Sequence, residues 1–96
     1  MSEVRTLTVR HRSGLHARPA ARLVEVARAF EAELVIERGE KQASCKSLIA
    51  IMRLGVSEGS EITVRADGPD AVSALDRIER LFVELALEQS AGGAVA

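Results

Sequence analysis

The sequence has no tryptophan and no tyrosine, and only two phenylalanines. A site built on stacked aromatic rings, the usual means of holding unpaired nucleic-acid bases, is therefore disfavoured. The single cysteine, Cys45, excludes an internal disulfide and a paired-cysteine redox site, and it suits a reducing cytoplasm. Neither sign of charge is in excess: 13 Lys and Arg stand against 14 Asp and Glu, for a net charge of −1. There is thus no overall pull toward nucleic acid or acidic lipid. No apolar signal run opens the chain, and no stretch approaches the length of a membrane span. The expectation is a soluble, cytoplasmic protein, with no nucleic-acid partner and no direct membrane insertion.

What is present is an aliphatic chain able to build a core. At 96 residues and 47% apolar it has room for one small domain and not for two. Its positive charge is carried by eleven Arg and two Lys. Residues 4–10, VRTLTVR, set Arg5, Leu7 and Val9 against Thr6, Thr8 and Arg10, the alternation of a half-buried strand. From Ala17 to Phe30 the period changes to that of a helix. Ala20, Leu23, Val24, Ala27 and Phe30 make one apolar stripe, with Arg18, Arg22, Glu25 and Arg28 opposite. Pro19 is tolerated there only in the first turn.

AELVIERG predicts a second strand, and KQAS a third that returns from a turn at Gly39. SLIAIMRLG predicts a short helix capped by Ser47, with Leu48, Ile51 and Met52 inward and Gly55 just past its end. EITVRA alternates as a fourth strand. DGPD then opens a long helix carrying Ala71, Leu75, Ile78, Phe82 and Leu85 at helical spacing. The order β-α-β-β-α-β-α predicts an α+β fold: an open-faced two-layer sandwich of a four-stranded antiparallel sheet with three helices on one face. The first helix makes a crossover, so its flanking strands run parallel. The fourth strand is expected between the first and second, with the hairpin strand at an edge. The domain is expected over residues 1–88, with an unstructured tail at 89–96.

The segment GLHARPAARL, residues 14–23, carries the chemistry. His16 precedes the first turn of the first helix, where unpaired N–H groups present about half a positive charge. The amides of Ala17 and Arg18 face the space beside His16, and the Arg18 guanidinium adds a planar, permanently charged donor fork. Together these describe an anion site with an imidazole in it. No Gly-rich nucleotide loop and no carboxylate cluster for Mg²⁺ accompany it. The segment is suited to receiving and handing over a phosphoryl group rather than to activating ATP. By position alone, a histidine at a helix start can equally be a cap or a solvated loop residue. A metal site would need His11, His16 and Cys45, which stand in no established ligand spacing.

SGLHARPAARLV closely resembles the active-site segment of the HPr family, the histidine-containing phosphocarriers of the bacterial phosphoenolpyruvate:sugar phosphotransferase system. The resemblance continues through CKSLIAIMRLG and GSEITVRADGPDAVSAL and covers nearly all of residues 3–87. It implies that His16 accepts a phosphoryl group, at Nδ1 in this family, from the phosphohistidine of Enzyme I, itself charged by phosphoenolpyruvate. His16 would pass the group to a histidine of an enzyme II A domain for sugar uptake and its regulation. Arg18 matches the arginine that contacts phosphoryl group and partner. The implied protein is a monomeric carrier rather than an enzyme, needing no cofactor and no metal.

The resemblance also matches Ser47 to the serine that a dedicated HPr kinase/phosphorylase modifies in some lineages, with a transcriptional regulator downstream. A phosphate at a helix N-cap is compatible with the helix and adds negative charge beside the docking surface. Ala50 departs from the glycine common in serine-regulated members, and Cys45 from a small or aliphatic residue. Arg18, Arg22, Lys46, Leu48 and Ile51 are the expected docking residues, an apolar patch ringed by positive charge that suits an acidic-rimmed partner. Two further readings share the fold: a nitrogen-branch carrier with the same chemistry and regulatory partners, and a serine-phosphorylated binding module without a relay role.

Overall fold

The computed structural model describes residues 2–12 and 14–95 of the chain, with side chains described as far as Glu88. The seven elements are β1 (Ser2–Thr8), α1 (Ala17–Arg28), β2 (Glu33–Arg38), β3 (Lys41–Ser44), α2 (Leu48–Arg53), β4 (Glu61–Asp67) and α3 (Ala71–Val95). The strands form one antiparallel sheet in the order β1-β4-β2-β3. β4 inserts between β1 and β2, pairing Leu7 with Ile62 and Ile36 with Val64. Both neighbours oppose β4, so β1 and β2 run parallel to each other, as the α1 crossover requires.

Alternation along the strands decides which face is dry. Leu34, Ile36, Ile62, Val64 and Ala66 point to the helical side and are buried. There they join Leu23, Val24 and Ala27 of α1 and Leu75, Ile78 and Leu81 of α3 in one core. The intervening residues form the other, open face. On it Thr6 and Thr63 meet across strands at 3.4 Å, and Arg65 pairs with Glu37 at 3.2 Å. Such an open face is stable because its residues are polar or small enough to stay hydrated.

Among the boundaries that depart from the sequence pattern are the ends of β1 and α1. β1 stops at Thr8 rather than 10, because its ladder ends at Thr8 opposite Glu61. Beyond it Val9 bonds the turn before β4 instead, donating to the Ser60 carbonyl and accepting from the Gly59 amide at 2.9 and 2.8 Å. α1 ends at Arg28 rather than Phe30, its last amides at Ala29 and Phe30 closing back on the carbonyls of Val26 and Ala27. The tail expected at 89–96 begins where the described side chains end, while the backbone of α3 is helical to Val95.

Candidate functional site at the head of α1

The bend from His11 to His16 is pinned before the helix begins. Gly14 has φ +57°, and a Cβ there would lie 2.7 Å from the Ser57 Cα and collide with the Val56 carbonyl. Only glycine meets both demands, a left-handed backbone and a close approach to the segment between α2 and β4. The next amide, Leu15, donates to the Val56 carbonyl at 3.1 Å, and the Leu15 side chain is buried.

His16 then takes the N-cap position with φ −72° and ψ −174°, and its imidazole makes no capping hydrogen bond. Its carbonyl accepts from Ala20 at 2.9 Å, the first bond of the helix. Three positions lie between. Pro19 has no N–H, so the donors left without a partner among the described residues at this end are the amides of Ala17 and Arg18. Pro19 is buried, whereas His16, Ala17 and Arg18 are exposed. The Arg18 side chain has no partner among the described residues.

A cavity of about 440 Å³ opens here, lined by His11, His16, Arg18, Pro19, Arg22, Leu85 and Glu88. An exposed imidazole and a guanidinium unpartnered among the described residues thus share one concave surface at the head of α1, where the first helical amides, Ala17 and Arg18, begin. The arrangement can hold a tetrahedral anion on His16 by charge-assisted hydrogen bonds without enclosing it.

The family model described as "PTS HPr component phosphorylation site" matches residues 4–84. The chain belongs to the HPr family. It is similar to the phosphocarrier protein HPr of Treponema pallidum, 40% identical over 79 residues, which is 82% of this chain and 90% of that protein. It is also 40% identical over 84 residues to a multiphosphoryl transfer protein of Xanthomonas campestris, a match spanning 88% of this chain but 10% of that much longer protein. Among solved structures, the histidine-containing phosphocarrier protein of a Mycoplasma superposes with a TM-score of 0.84 at 35% identity. That match covers 88% of this chain and 97% of the other. The fold and the order of elements are those of HPr, a phosphocarrier of the phosphotransferase system.

The structure separates the remaining residues singled out from the HPr-like sequence. Ser47 caps α2, its Oγ accepting from the Ala50 amide at 3.3 Å. Arg22 lines the cavity but is held by α3, 2.6 Å from Glu88 and 3.6 Å from Glu84. Lys46 is half-buried and braces α1, its Nζ donating to the Phe30 carbonyl at 2.9 Å while its own carbonyl accepts from Arg28. Ile51, expected to face inward and also placed among the docking residues, is 0% exposed and belongs to the core, not the docking surface. A six-residue helix lying flat on a core buries one line of side chains, and Ile51 is on it. Leu48 is 37% exposed, and Met52, expected inward, is 45% exposed; Ile49, at 64%, stands where Ile51 was expected.

His11 and Glu88 are the site residues that sequence reasoning passed over. The sequence offers His11 only as a metal ligand, yet it continues the inward side of the alternation Arg5, Leu7, Val9, His11. Glu88 continues the buried line of Leu81 and Leu85 at helical spacing. His11 is 1% exposed, with its Nε2 2.7 Å from the Gly14 carbonyl. A carbonyl only accepts, so Nε2 carries the hydrogen and Nδ1 is the bare nitrogen. That Nδ1 is buried without a hydrogen-bond partner among the described residues. Burial pushes the His11 pKa below its ordinary 6.5, opposed by the Gly14 bond and the charge of Glu58.

Cys45 is buried between β3 and α2, and burial raises its thiol pKa to about 12. It is therefore a neutral core residue rather than a nucleophile. Among the described residues, no group of three His, Cys, Asp or Glu side chains is placed to hold a metal ion. No helix among them is long and apolar enough to cross a membrane.

Proposed function

We propose that this chain carries a phosphoryl group on His16 between a phosphohistidine donor and a histidine acceptor. The observation that carries this reading is the exposed, uncommitted His16 imidazole at the head of α1. Beside it lie the unpaired amides of Ala17 and Arg18 and the unpartnered Arg18 side chain. In the family the reacting atom is Nδ1. Its lone pair attacks phosphorus as the donor's N–P bond breaks, and the departing electron pair returns to the donor ring. The Nε2 proton of His16 stays where it is. Onward transfer is the same displacement in reverse, so the protein is a carrier and not a catalyst.

Family membership supports Enzyme I, charged by phosphoenolpyruvate, as the donor and enzyme II A domains as acceptors. The exposed apolar side chains of Leu48, Ile49 and Met52 lie on α2, which packs against α1, the helix whose first turn carries Arg18; together they fit a small, transient docking surface for a monomeric carrier. The unregulated role of Ser47 as a helix cap is complete in itself. Its half-buried hydroxyl beside that patch also makes it the natural position for a phosphate that weakens docking by added negative charge.

The test is intact mass after incubation with phosphoenolpyruvate and the organism's own Enzyme I. One acid-labile phosphoryl group, mapped to His16 and absent from His16→Ala, is the expected result. No transfer from an Enzyme I shown to be active would overturn the reading.

A further inference from the structure

The cavity beside His16 has a second imidazole at its base that the phosphoryl chemistry does not use. His11 is closed into the core against Phe82, with ring centroids 5.9 Å apart and planes at 29°. Two bonds tie it reciprocally to Gly14. Its Nε2–H donates to the Gly14 carbonyl at 2.7 Å, and its own carbonyl accepts from the Gly14 amide at 3.3 Å. The Gly14 carbonyl belongs to the peptide that joins Leu15, and Leu15 in turn leads straight to His16. With the Leu15 amide on the Val56 carbonyl, the short segment that carries His16 is held from both sides.

We propose that His11 is a positioning residue for the phosphoryl site, its Nε2–H fixing the Gly14–Leu15 peptide so that His16 and the first amides of α1 meet the incoming phosphorus in one geometry. The inference rests on the carrier reading of His16. The charged groups facing His11 across the cavity are Arg18 and Arg22 of α1 and Glu88 of α3, with Glu58 on the segment before β4. A protonated ring would put a second N–H at the buried Nδ1, which has no hydrogen-bond partner among the described residues. The neutral, Nε2–H form is therefore the working form. Loss of its bond would free the peptide ahead of His16, and a displacement on the order of 1 Å at a reacting group costs up to about a hundredfold in rate.

Space filling over Phe82 is the competing role for His11, and two substitutions separate it from positioning. His11→Leu keeps an apolar body and loses the donor. In His11→Gln the side-chain amide nitrogen reaches the position of Nε2 and keeps the donor without the ring. The measurement is the single-turnover rate of phosphoryl transfer from saturating phospho-Enzyme I, with thermal melting as the check on folding. Positioning requires His11→Leu to fall about 10- to 100-fold and His11→Gln to stay within about threefold of the unchanged protein.

Wild-type transfer in His11→Leu, or an equal loss in both variants, would overturn it. Amide hydrogen exchange supplies a readout that does not depend on phosphoryl transfer. The amides of Leu15, Ala17 and Arg18 should exchange faster in His11→Leu than in His11→Gln, while those of α3 are unchanged. If the unchanged protein accepts no phosphoryl group, the carrier reading fails alone. Equal exchange at Leu15–Arg18 in the two variants would then sink the positioning role by itself.

Discussion

Arg18 stands two residues beyond His16, exposed and without a partner among the described residues, whereas Arg22, one turn on, is already tied to Glu84 and Glu88. The same residue type is thus free in one case and committed in the other. Arg18→Glu should slow transfer by at least about tenfold while leaving the melting temperature unchanged, because charge reversal acts on the phosphoryl group and the partner, not on the fold. Unaltered transfer kinetics would remove Arg18 from the site. Gly14→Ala is a different kind of change. It forces a Cβ into a left-handed backbone and against the segment at Val56 and Ser57, and should cost about 1–3 kcal/mol or more in denaturant unfolding. His11 brings a pH dependence. Its folded pKa lies below 6.5, so the unfolded chain binds the extra proton first. Stability from the neutral ring is complete above pH 6.5 and declines as the pH falls toward the folded value. In His11→Gln that portion of the acid dependence should be missing from the melting curve.

At the scale of the element, α2 divides its side chains between two jobs. Ile51 is in the core, while Leu48, Ile49 and Met52 are on the surface. Ile51→Ala should cost about 2–5 kcal/mol in equilibrium unfolding, from lost burial and the cavity left behind. Met52→Ala and Ile49→Ala should stay within about 0.5 kcal/mol in stability and instead weaken the productive encounter with phospho-Enzyme I, seen as a raised KM. Equal destabilisation by all three would mean that the helix packs differently. α1 is likewise amphipathic, but its first turn is set by its neighbours. Gly14 and Leu15 are anchored to the segment before β4, and Pro19 removes the one amide that could compete with Ala17 and Arg18 for an anion.

Across the whole molecule, the start of α3 is clamped to the segment between α1 and β2. The Asp70 carboxylate accepts from the amides of Glu31 and Ala32 at 2.9 and 2.8 Å, and these bonds hold its pKa below the usual 3.8. Residues nearly forty apart in the chain are joined there by one side chain. Because the folded pKa is depressed, the clamp is fully present above pH 3.8 and is lost as the pH falls through the folded value. Asp70→Ala should therefore lower the urea midpoint at neutral pH, and the gap from the unchanged protein should narrow below pH 3.8. A constant gap across that range would show that the carboxylate charge is not what holds the two segments together.

The sequence by itself determined the element types, their order and, for the strands and the two longer helices, the face each buries. Those properties follow from local periodicities: two residues in Leu34 and Ile36 or Ile62, Val64 and Ala66, and 3.6 in Leu23, Val24 and Ala27. Even the insertion of β4 between β1 and β2 was legible, because a crossover helix leaves parallel strands that need a partner between them. The segment from His16 to Pro19 was legible as an anion-binding helix start for the same local reason, since a helix start carries its own donors; its reading as a phosphoryl site rests on the resemblance to the HPr family. Tertiary structure alone decided the rest. Whether Arg22 is free depends on Glu88, sixty-six residues away; whether His11 is a metal ligand or a core residue depends on Phe82 and on the Gly14 carbonyl that its ring meets. Ile51 and Ile49 are alike in composition and two residues apart, and only the direction in which α2 lies on the core sends one inside and leaves the other in water.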